Sequence, residues 1–160
     1  MFEYITSMKN LYLILILFSL SLTATKAQTL DYIDGKFYKN DMLYTGIHVE
    51  YYPDGIKKSK RSIRNGLEDG KSMFYYENGQ LQEVRSYKEG KKHGEWLTFS
   101  QKGLRLGEAY YLNDLKDSTW KIWDENGMLR FIMNYKNGVK SGTWLMYNEN
   151  GELVQEKKFE

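Results

Sequence analysis

The chain has 160 residues, 23 basic and 21 acidic, with a formal net charge of +2 and a pI near 8.5. That is the length of one domain, and so mild a basic excess excludes an electrostatic nucleic-acid binder. The absence of cysteine excludes disulfides, thiolate metal sites, a cysteine nucleophile and a lipidated cysteine anchor.

Residues 11–22, LYLILILFSLSL, form the one long apolar run, with Lys9 before it and Thr23-Ala24-Thr25-Lys26-Ala27 after it. A basic start, a short apolar stretch and a small-residue exit are the parts of a secretory signal peptide. The run is shorter than the roughly 20 residues that a membrane-spanning helix needs. The pattern predicts a signal helix over 1–27, cleaved after Ala27 to leave Gln28, with an uncleaved anchor as the alternative. Met8 is an alternative start, because MKNLYLILILF has the more usual signal pattern. Loss of 1–27 removes Lys9, Lys26 and Glu3 and leaves a net charge of +1. The expected location is therefore periplasmic, cell-surface or secreted, with no membrane contact beyond the signal segment.

Residues 28–45 read as a degenerate capping hairpin. Asp34-Gly35 and Asn40-Asp41 are turn signals on either side of Lys36-Phe37-Tyr38. An end repeat departs from the pattern because it has a neighbour on one side only.

From residue 46 the chain keeps a 24-residue period, carried by its glycines. One series runs Gly46, Gly70, Gly94, Ser118, Gly142; a second runs Gly55, Gly79, Gly103, Gly127, Gly151; a third runs Gly66, Gly90, Asp114, Gly138. The period divides the chain into units 46–69, 70–93, 94–117, 118–141 and 142–160. Other positions repeat in phase. Two residues after the first glycine stand His48, Ser72, Trp96, Trp120 and Trp144. Five after it stand Tyr51, Tyr75, Phe99, Trp123 and Tyr147, and seventeen after it Ile63, Tyr87, Tyr111, Tyr135 and Phe159. Aromatic residues make up 16% of the chain and there is a single proline, Pro53, which suits short strands and tight turns.

Each unit reads as strand, tight turn, longer strand, looser turn. Asp54-Gly55, Asn78-Gly79, Asn126-Gly127 and Asn150-Gly151 are expected to be two-residue hairpin tips, with Lys102-Gly103 the weakest of the series. The strand period of two puts the Trp96/Trp120/Trp144 row and the Tyr51/Tyr75/Phe99/Trp123/Tyr147 row on opposite faces. The predicted fold is all-β, an elongated antiparallel β-meander of repeated hairpins in a single twisted sheet. Each hairpin advances that sheet by about 10 Å.

Hairpin units of the form G-x-W-x-x-Y-x-x-N-G, followed by a strand and Y-K-x-G, resemble MORN repeat variants. The best matches are Gly94-Glu95-Trp96, Ser118-Thr119-Trp120 through Asn126-Gly127, Tyr135-Lys136-Asn137-Gly138, and Gly142-Thr143-Trp144 through Asn150-Gly151. Tyr87-Lys88-Glu89-Gly90 with Lys91-Lys92-His93-Gly94 fits as well. The units are also similar to bacterial exported YwqK-family antitoxin-like repeat proteins. The resemblance covers about residues 44–160. It implies a β-meander used as a scaffold or binding surface, without catalytic residues, and in the antitoxin-like case a protein that neutralises a partner.

The residues suggest no enzyme. His48 occupies the slot held elsewhere by tryptophan, which favours a structural role, and His93 falls in an inter-unit turn, where solvent is expected. No G-x-S-x-G elbow or phosphate-cradling loop occurs, and neither a triad nor a clustered metal site is legible. Asp124-Glu125-Asn126-Gly127 has the turn chemistry of a hairpin tip rather than the spaced ligands of a calcium loop. Glu95 and Glu108 lie on neighbouring strands, but similar acids are scattered through the repeats, as on a solvated sheet. Asp114 and Ser118 replace two period glycines and make the junction between the third and fourth units atypical. Lys57-Lys58-Ser59-Lys60-Arg61 is the one local basic cluster. Three functions remain open: a protein-binding scaffold of the cell envelope, a glycan or peptidoglycan module that stacks sugars on an aromatic row, and a partner-neutralising protein. The candidate binding residues are Trp96, Trp120, Trp144, Tyr51, Tyr75, Phe99, Trp123 and Tyr147, with no cofactor and no metal.

Overall fold

A computed structural model describes residues 29–160; the predicted signal segment and its cleavage site lie outside the described residues. The fold is an all-β succession of antiparallel hairpins. A three-stranded sheet comes first: β1 (Asp31–Ile33), β2 (Lys36–Lys39) and β3 (Met42–Leu43). An eleven-stranded sheet follows. Its strands are β4 (Gly46–Tyr51), β5 (Lys57–Arg64), β6 (Leu67–Glu68), β7 (Gly70–Tyr75), β8 (Leu81–Lys88), β9 (Lys91–Phe99) and β10 (Arg105–Leu112), then β11 (Leu115–Trp123), β12 (Leu129–Lys136), β13 (Val139–Tyr147) and β14 (Leu153–Phe159). Spatial order follows chain order from β4 to β14, with β6 pairing beside β5. The sheet does not close: β4 and β14 are its edges. β6 and β7 are the two parts of a strand that runs unbroken as β9, β11 and β13 in the later units.

The two kinds of turn are the reverse of what the sequence predicts. At Asp54-Gly55 and its equivalents only the glycine has positive φ (Gly55 86°, Gly79 81°, Gly127 80°). Its N–H donates to the carbonyl three residues back, as in Gly55 to Tyr52 at 2.9 Å. This is a type I turn with a glycine bulge, a three-residue hairpin loop. Local side chains select it. Pro53 occupies the position that fixes φ near −65°. In later units the residue three before the glycine accepts instead: Asp124 Oδ1 takes the N–H of Asn126 and of Met128, both at 3.0 Å. Ser100 Oγ does the same for Lys102 and Leu104 at 3.3 and 3.2 Å, which supports the tip that has no Asn or Asp before its glycine. The true two-residue turns are the ones expected to be looser. Asn65-Gly66, Glu89-Gly90, Asn113-Asp114 and Asn137-Gly138 have both central φ positive, with Arg64 directly opposite Leu67 and Lys136 opposite Val139. Asp114 thus accepts a left-handed φ of 72° that glycine holds in the other units.

Those turns tie each unit to the one before. The second turn residue donates to a carbonyl 22 residues upstream: Gly66 to Tyr44, Gly90 to Glu68, Asp114 to Lys92 and Gly138 to Lys116, at 2.7–2.9 Å. Asp114 adds a side-chain bond, its Oδ1 accepting the N–H of Lys92 at 2.9 Å. His93 joins the same seam, with Nδ1 3.2 Å from Asn113 Oδ1. At the start of the series Phe37 donates to the carbonyl of Gly66 at 2.8 Å, so the three-stranded sheet caps the first turn. The described part of the capping segment, 29–45, therefore contains two hairpins sharing β2 where one is expected. A layered core is absent: the apolar residues buried among those described are Ile63, Val84 and Tyr135. Stability has to come from neighbour-to-neighbour contacts along the sheet.

Candidate functional site: the aromatic and lysine face

Side chains alternate across each strand, and the register assigns them to two faces. Pairs such as Trp96 opposite Ala109, Trp120 opposite Met133 and Trp144 opposite Lys157 define a front face. The Tyr51/Tyr75/Phe99/Trp123/Tyr147 row lies on the back, as the parity of the sequence predicts.

The front row does not stand alone. The tryptophans interleave with the tyrosines seventeen residues after the first glycine, giving one continuous ladder. Its order is Tyr87, Trp96, Tyr111, Trp120, Tyr135, Trp144, Phe159, with ring centroids 4.9–5.4 Å apart and planes inclined at 55–65°. Tilted and edge-to-face contacts of this kind each contribute about 0.5–1.5 kcal/mol beyond burial. Burial holds the phenols of Tyr87 and Tyr111 above the ordinary tyrosine range, with Glu68 adding to the effect at Tyr87 and Tyr135 at Tyr111.

A backbone irregularity places each tryptophan. Arg85 faces Trp96 and Tyr87 faces Lys92, so Ser86 lies opposite three residues centred on Gly94. The same bulge recurs at Ser118 and Gly142. Ser118 adopts φ 57° there and bonds its hydroxyl to Asp117 Oδ1 at 2.9 Å. Bulges bend a strand and re-aim its side chains. Here each indole N–H donates to the carbonyl opposite the bulge: Trp96 to Ser86 at 3.0 Å, Trp120 to Tyr110 at 3.0 Å and Trp144 to Asn134 at 2.9 Å. In the second unit Ser72 replaces tryptophan, and the equivalent carbonyl, Ser62, takes the N–H of Asp69 at 2.9 Å.

The other candidate row forms no ladder. Tyr51 is 57% exposed, and no ring of this row stacks on another among the described residues. Lys57 lies over Tyr75 at 5.4 Å and Arg105 over Trp123 at 5.9 Å. The backbone carbonyls of Tyr75 and Phe99 accept from Tyr52 and Tyr76 at 2.8 Å. The row flanks the hairpin tips rather than lining a groove.

Sequence reading missed the cations of the front face, although their signal has the same period. Two residues before the first glycine stand Lys92, Lys116 and Lys140. Each ammonium bridges the tryptophan and the +17 aromatic of the unit that follows it: Lys92 is 5.0 Å from Trp96 and from Tyr111, Lys116 4.6 and 4.9 Å from Trp120 and Tyr135, and Lys140 4.6 and 5.4 Å from Trp144 and Phe159. Lys157 adds a fourth, 5.2 Å from Phe159.

The first two units put a polar cluster where the later ones put the ladder. His48 is 7% exposed, with Nε2 3.9 Å from Glu50. Arg61 sits 3.7 Å from both Glu50 and Glu68 and lies over Phe74 at 5.0 Å. Ser59 and Ser72 are buried and donate to Glu50 at 2.6 Å and Glu68 at 2.9 Å. Desolvation lowers the His48 pKa against the pull of Glu50, so its imidazole favours the neutral form. Desolvation works to raise that of Glu50, but the Ser59 hydrogen bond and Arg61 outweigh it and hold the carboxyl below its ordinary range. His48 is thus a partnered, buried group in the tryptophan slot. Glu95 and Glu108 are on the back face, occupied by Lys71 at 3.9 Å and by Arg105 and Lys121 at 2.8 and 3.7 Å respectively. Among the described residues no group of three or more His, Asp or Glu could hold a metal ion.

A family model described as MORN repeat variant matches residues 68–89, 116–137 and 140–160. The three segments begin in phase with the 24-residue period; the first two end on the first residue of a two-residue turn, Glu89 and Asn137, and the third holds the ladder end at Phe159. No curated protein matches the chain, so its similarity to YwqK-family proteins rests on the motifs alone. Among solved structures, a chain titled "Crystal structure of GtfA/B complex bound to UDP and GlcNAc" aligns at 14% identity with a TM-score of 0.32. That alignment covers 83% of this chain and 27% of the other, and it is too loose to carry an argument. The matched segments are similar to MORN repeat variants, and with the period they mark a repeat-built module.

Proposed function

We propose that this protein is a non-catalytic, exported scaffold of the cell envelope that holds a partner protein on its open sheet. The observation that carries the reading is the small buried core set against aromatic side chains on both faces of the sheet, ordered into a ladder on the front one. Apolar side chains at the C-terminal end stay exposed, among them Ile122 at 40% and Val154 at 52%. Large exposed patches of this kind mark interaction sites. The signal-like segment supports export. The acids best placed to mimic a catalytic pair are held in ion pairs, which supports a non-catalytic role. The test is affinity capture from envelope extract with the wild-type chain and with a back-face variant, Tyr51→Ala with Tyr75→Ala. A partner retained by the first and lost from the second fits the proposal. Identical capture profiles from both and from blank resin contradict it. Intact-mass measurement of the exported form should give an N-terminus at Gln28.

A second reading, a glycan-binding module, is favoured by one specific feature: the row of Trp96, Trp120 and Trp144, each beside a lysine.

A further inference from the structure

The front face from β9 to β14 carries a charge pattern that the repeat itself does not require. Strand register places Lys92, Lys116, Lys140 and Lys157 on this face, and no Asp or Glu shares it on the strands from β9 to β14. The back of the same strands mixes both signs: Glu95, Glu108, Lys121, Glu156 and Lys158. Among the described residues none of the four front lysines has a carboxylate within 4.0 Å, whereas Lys71, Lys121 and Lys158 all do. The first three lysines recur every second strand, a pitch of about 10 Å, and the sheet twist turns the row gradually along its length.

Apolar hollows lie beside this row. One, of about 320 Å³, has Gly107 and Ala109 as its floor and Trp96, Thr98, Trp120 and Ile122 around it. Other units put Arg85 and Glu83, or Met133 and Phe131, at the positions of those two small residues. The backbone does not demand glycine at 107: its φ lies outside the left-handed range and a Cβ there would meet Thr98 at an ordinary 3.6 Å. A second hollow of about 190 Å³ lies farther along, among Phe131, Met133, Trp144 and Met146.

From this we infer that the front face of units three to five binds a linear acidic polysaccharide, its anionic groups spaced to meet successive lysines and its sugar rings seated against the ladder and its hollows. The inference rests on the glycan reading above and adds the sign of the ligand's charge and its direction across the strands. Charge complementarity selects an anion, since four unneutralised ammonium groups face one way. The fixed pitch selects a regular polymer over a folded acidic protein. The apolar hollows select sugar rings, whose C–H faces pack on aromatic surface, over an inorganic polyanion.

The test is affinity electrophoresis and titration calorimetry on the full chain. Hyaluronan, with one carboxylate per disaccharide, is the probe; its carboxyl-reduced neutral form, inorganic polyphosphate and phosphatidylglycerol vesicles are the comparisons. Hyaluronan should bind, and weaken as salt is raised. The neutral form should bind about tenfold more weakly. Lys92→Gln, Lys116→Gln and Lys140→Gln together should cost a similar factor, while Lys71→Gln with Lys158→Gln leaves binding unchanged. The ammonium groups of the three front lysines hold no backbone group, and circular dichroism checks that the triple variant folds. Gly107→Val should fill the larger hollow and weaken binding without loss of structure. Equal binding of hyaluronan and its neutral form would overturn the inference and leave the glycan reading standing. Binding of neither polymer would remove both. Preference for polyphosphate or for vesicles would overturn the inference in favour of those anions.

Discussion

Trp120 sits mid-ladder, and its replacement tests whether interleaved rings hold successive units together. Trp120→Ala removes two ring contacts, to Tyr111 at 5.1 Å and Tyr135 at 5.2 Å. At roughly 1 kcal/mol each these amount to about 2 kcal/mol. It also removes the indole bond to the Tyr110 carbonyl at 3.0 Å, for which about 1 kcal/mol is typical. Burial of the ring adds about 1 kcal/mol more, so the expected cost is about 4 kcal/mol, a fall of about 2 M in the urea midpoint if the slope is near 2 kcal/mol per M. Trp120→Phe keeps the stacking and loses only the hydrogen bond, so it should cost about 1 kcal/mol. Trp123→Ala removes a half-buried ring on the back face that stacks on no other, and should also cost about 1 kcal/mol. The assay is urea unfolding followed by far-ultraviolet circular dichroism, at one protein concentration. Because stability in a repeat array is carried by neighbour contacts, Trp120→Ala should also broaden the transition. The reasoning is refuted if Trp123→Ala costs as much as Trp120→Ala, or if phenylalanine is no better than alanine at position 120.

Gly66→Ala should be more damaging than Gly127→Ala. Both glycines have positive φ, 77° and 80°, but a Cβ at 66 would lie 2.6 Å from Leu43 Cδ2 and 3.1 Å from the Phe37 carbonyl, whereas at 127 nothing lies within 4 Å. The second change should cost about 1 kcal/mol and the first more, with selective loss of hydrogen-exchange protection in residues 31–43. Ser118→Gly should raise the thermal midpoint slightly, because glycine relieves a left-handed φ of 57° at the bulge at the expense of one exposed hydroxyl bond. Acidification should loosen the first unit before the others. His48 has a folded pKa below its ordinary 6.5, so the unfolded chain takes up the proton first and stability falls as pH drops below about 6.5. Glu50, also depressed, adds a second loss below its ordinary 4.5. Protection factors at the amides of 47–50, with the intrinsic pH dependence of exchange divided out, should therefore fall between pH 7.5 and 5 in the wild type, and much less in His48→Gln.

Much of this architecture is written in the spacing. An undisturbed period of 24 residues gives the hairpin count, and strand parity alone separates the Trp96 row from the Trp123 row. The ladder is harder to read. Trp96 and Tyr111 are fifteen residues apart, and only the bulge at Gly94 and the pairing of β9 with β8 and β10 bring Tyr87, Trp96 and Tyr111 into line. The turn types are not legible in the dipeptides, because a pair such as Asn126-Gly127 suits two geometries. The choice falls to Asp124, whose side chain bonds the turn N–H groups. Lys92, Lys116 and Lys140 were missed for a different reason. A lysine every 24 residues looks like a solvated position until register shows it lying over the rings.

Removal of one whole unit tests the central claim, that a 24-residue hairpin is the structural quantum and the ladder the joint between quanta. Deleting residues 94–117 brings Tyr87 next to Trp120 in the same register that Tyr87 now has with Trp96. The account predicts a folded all-β protein whose longest dimension, by small-angle scattering, falls by about 10 Å, the width of two strands. An unfolded chain, or a folded one of unchanged length, would contradict it.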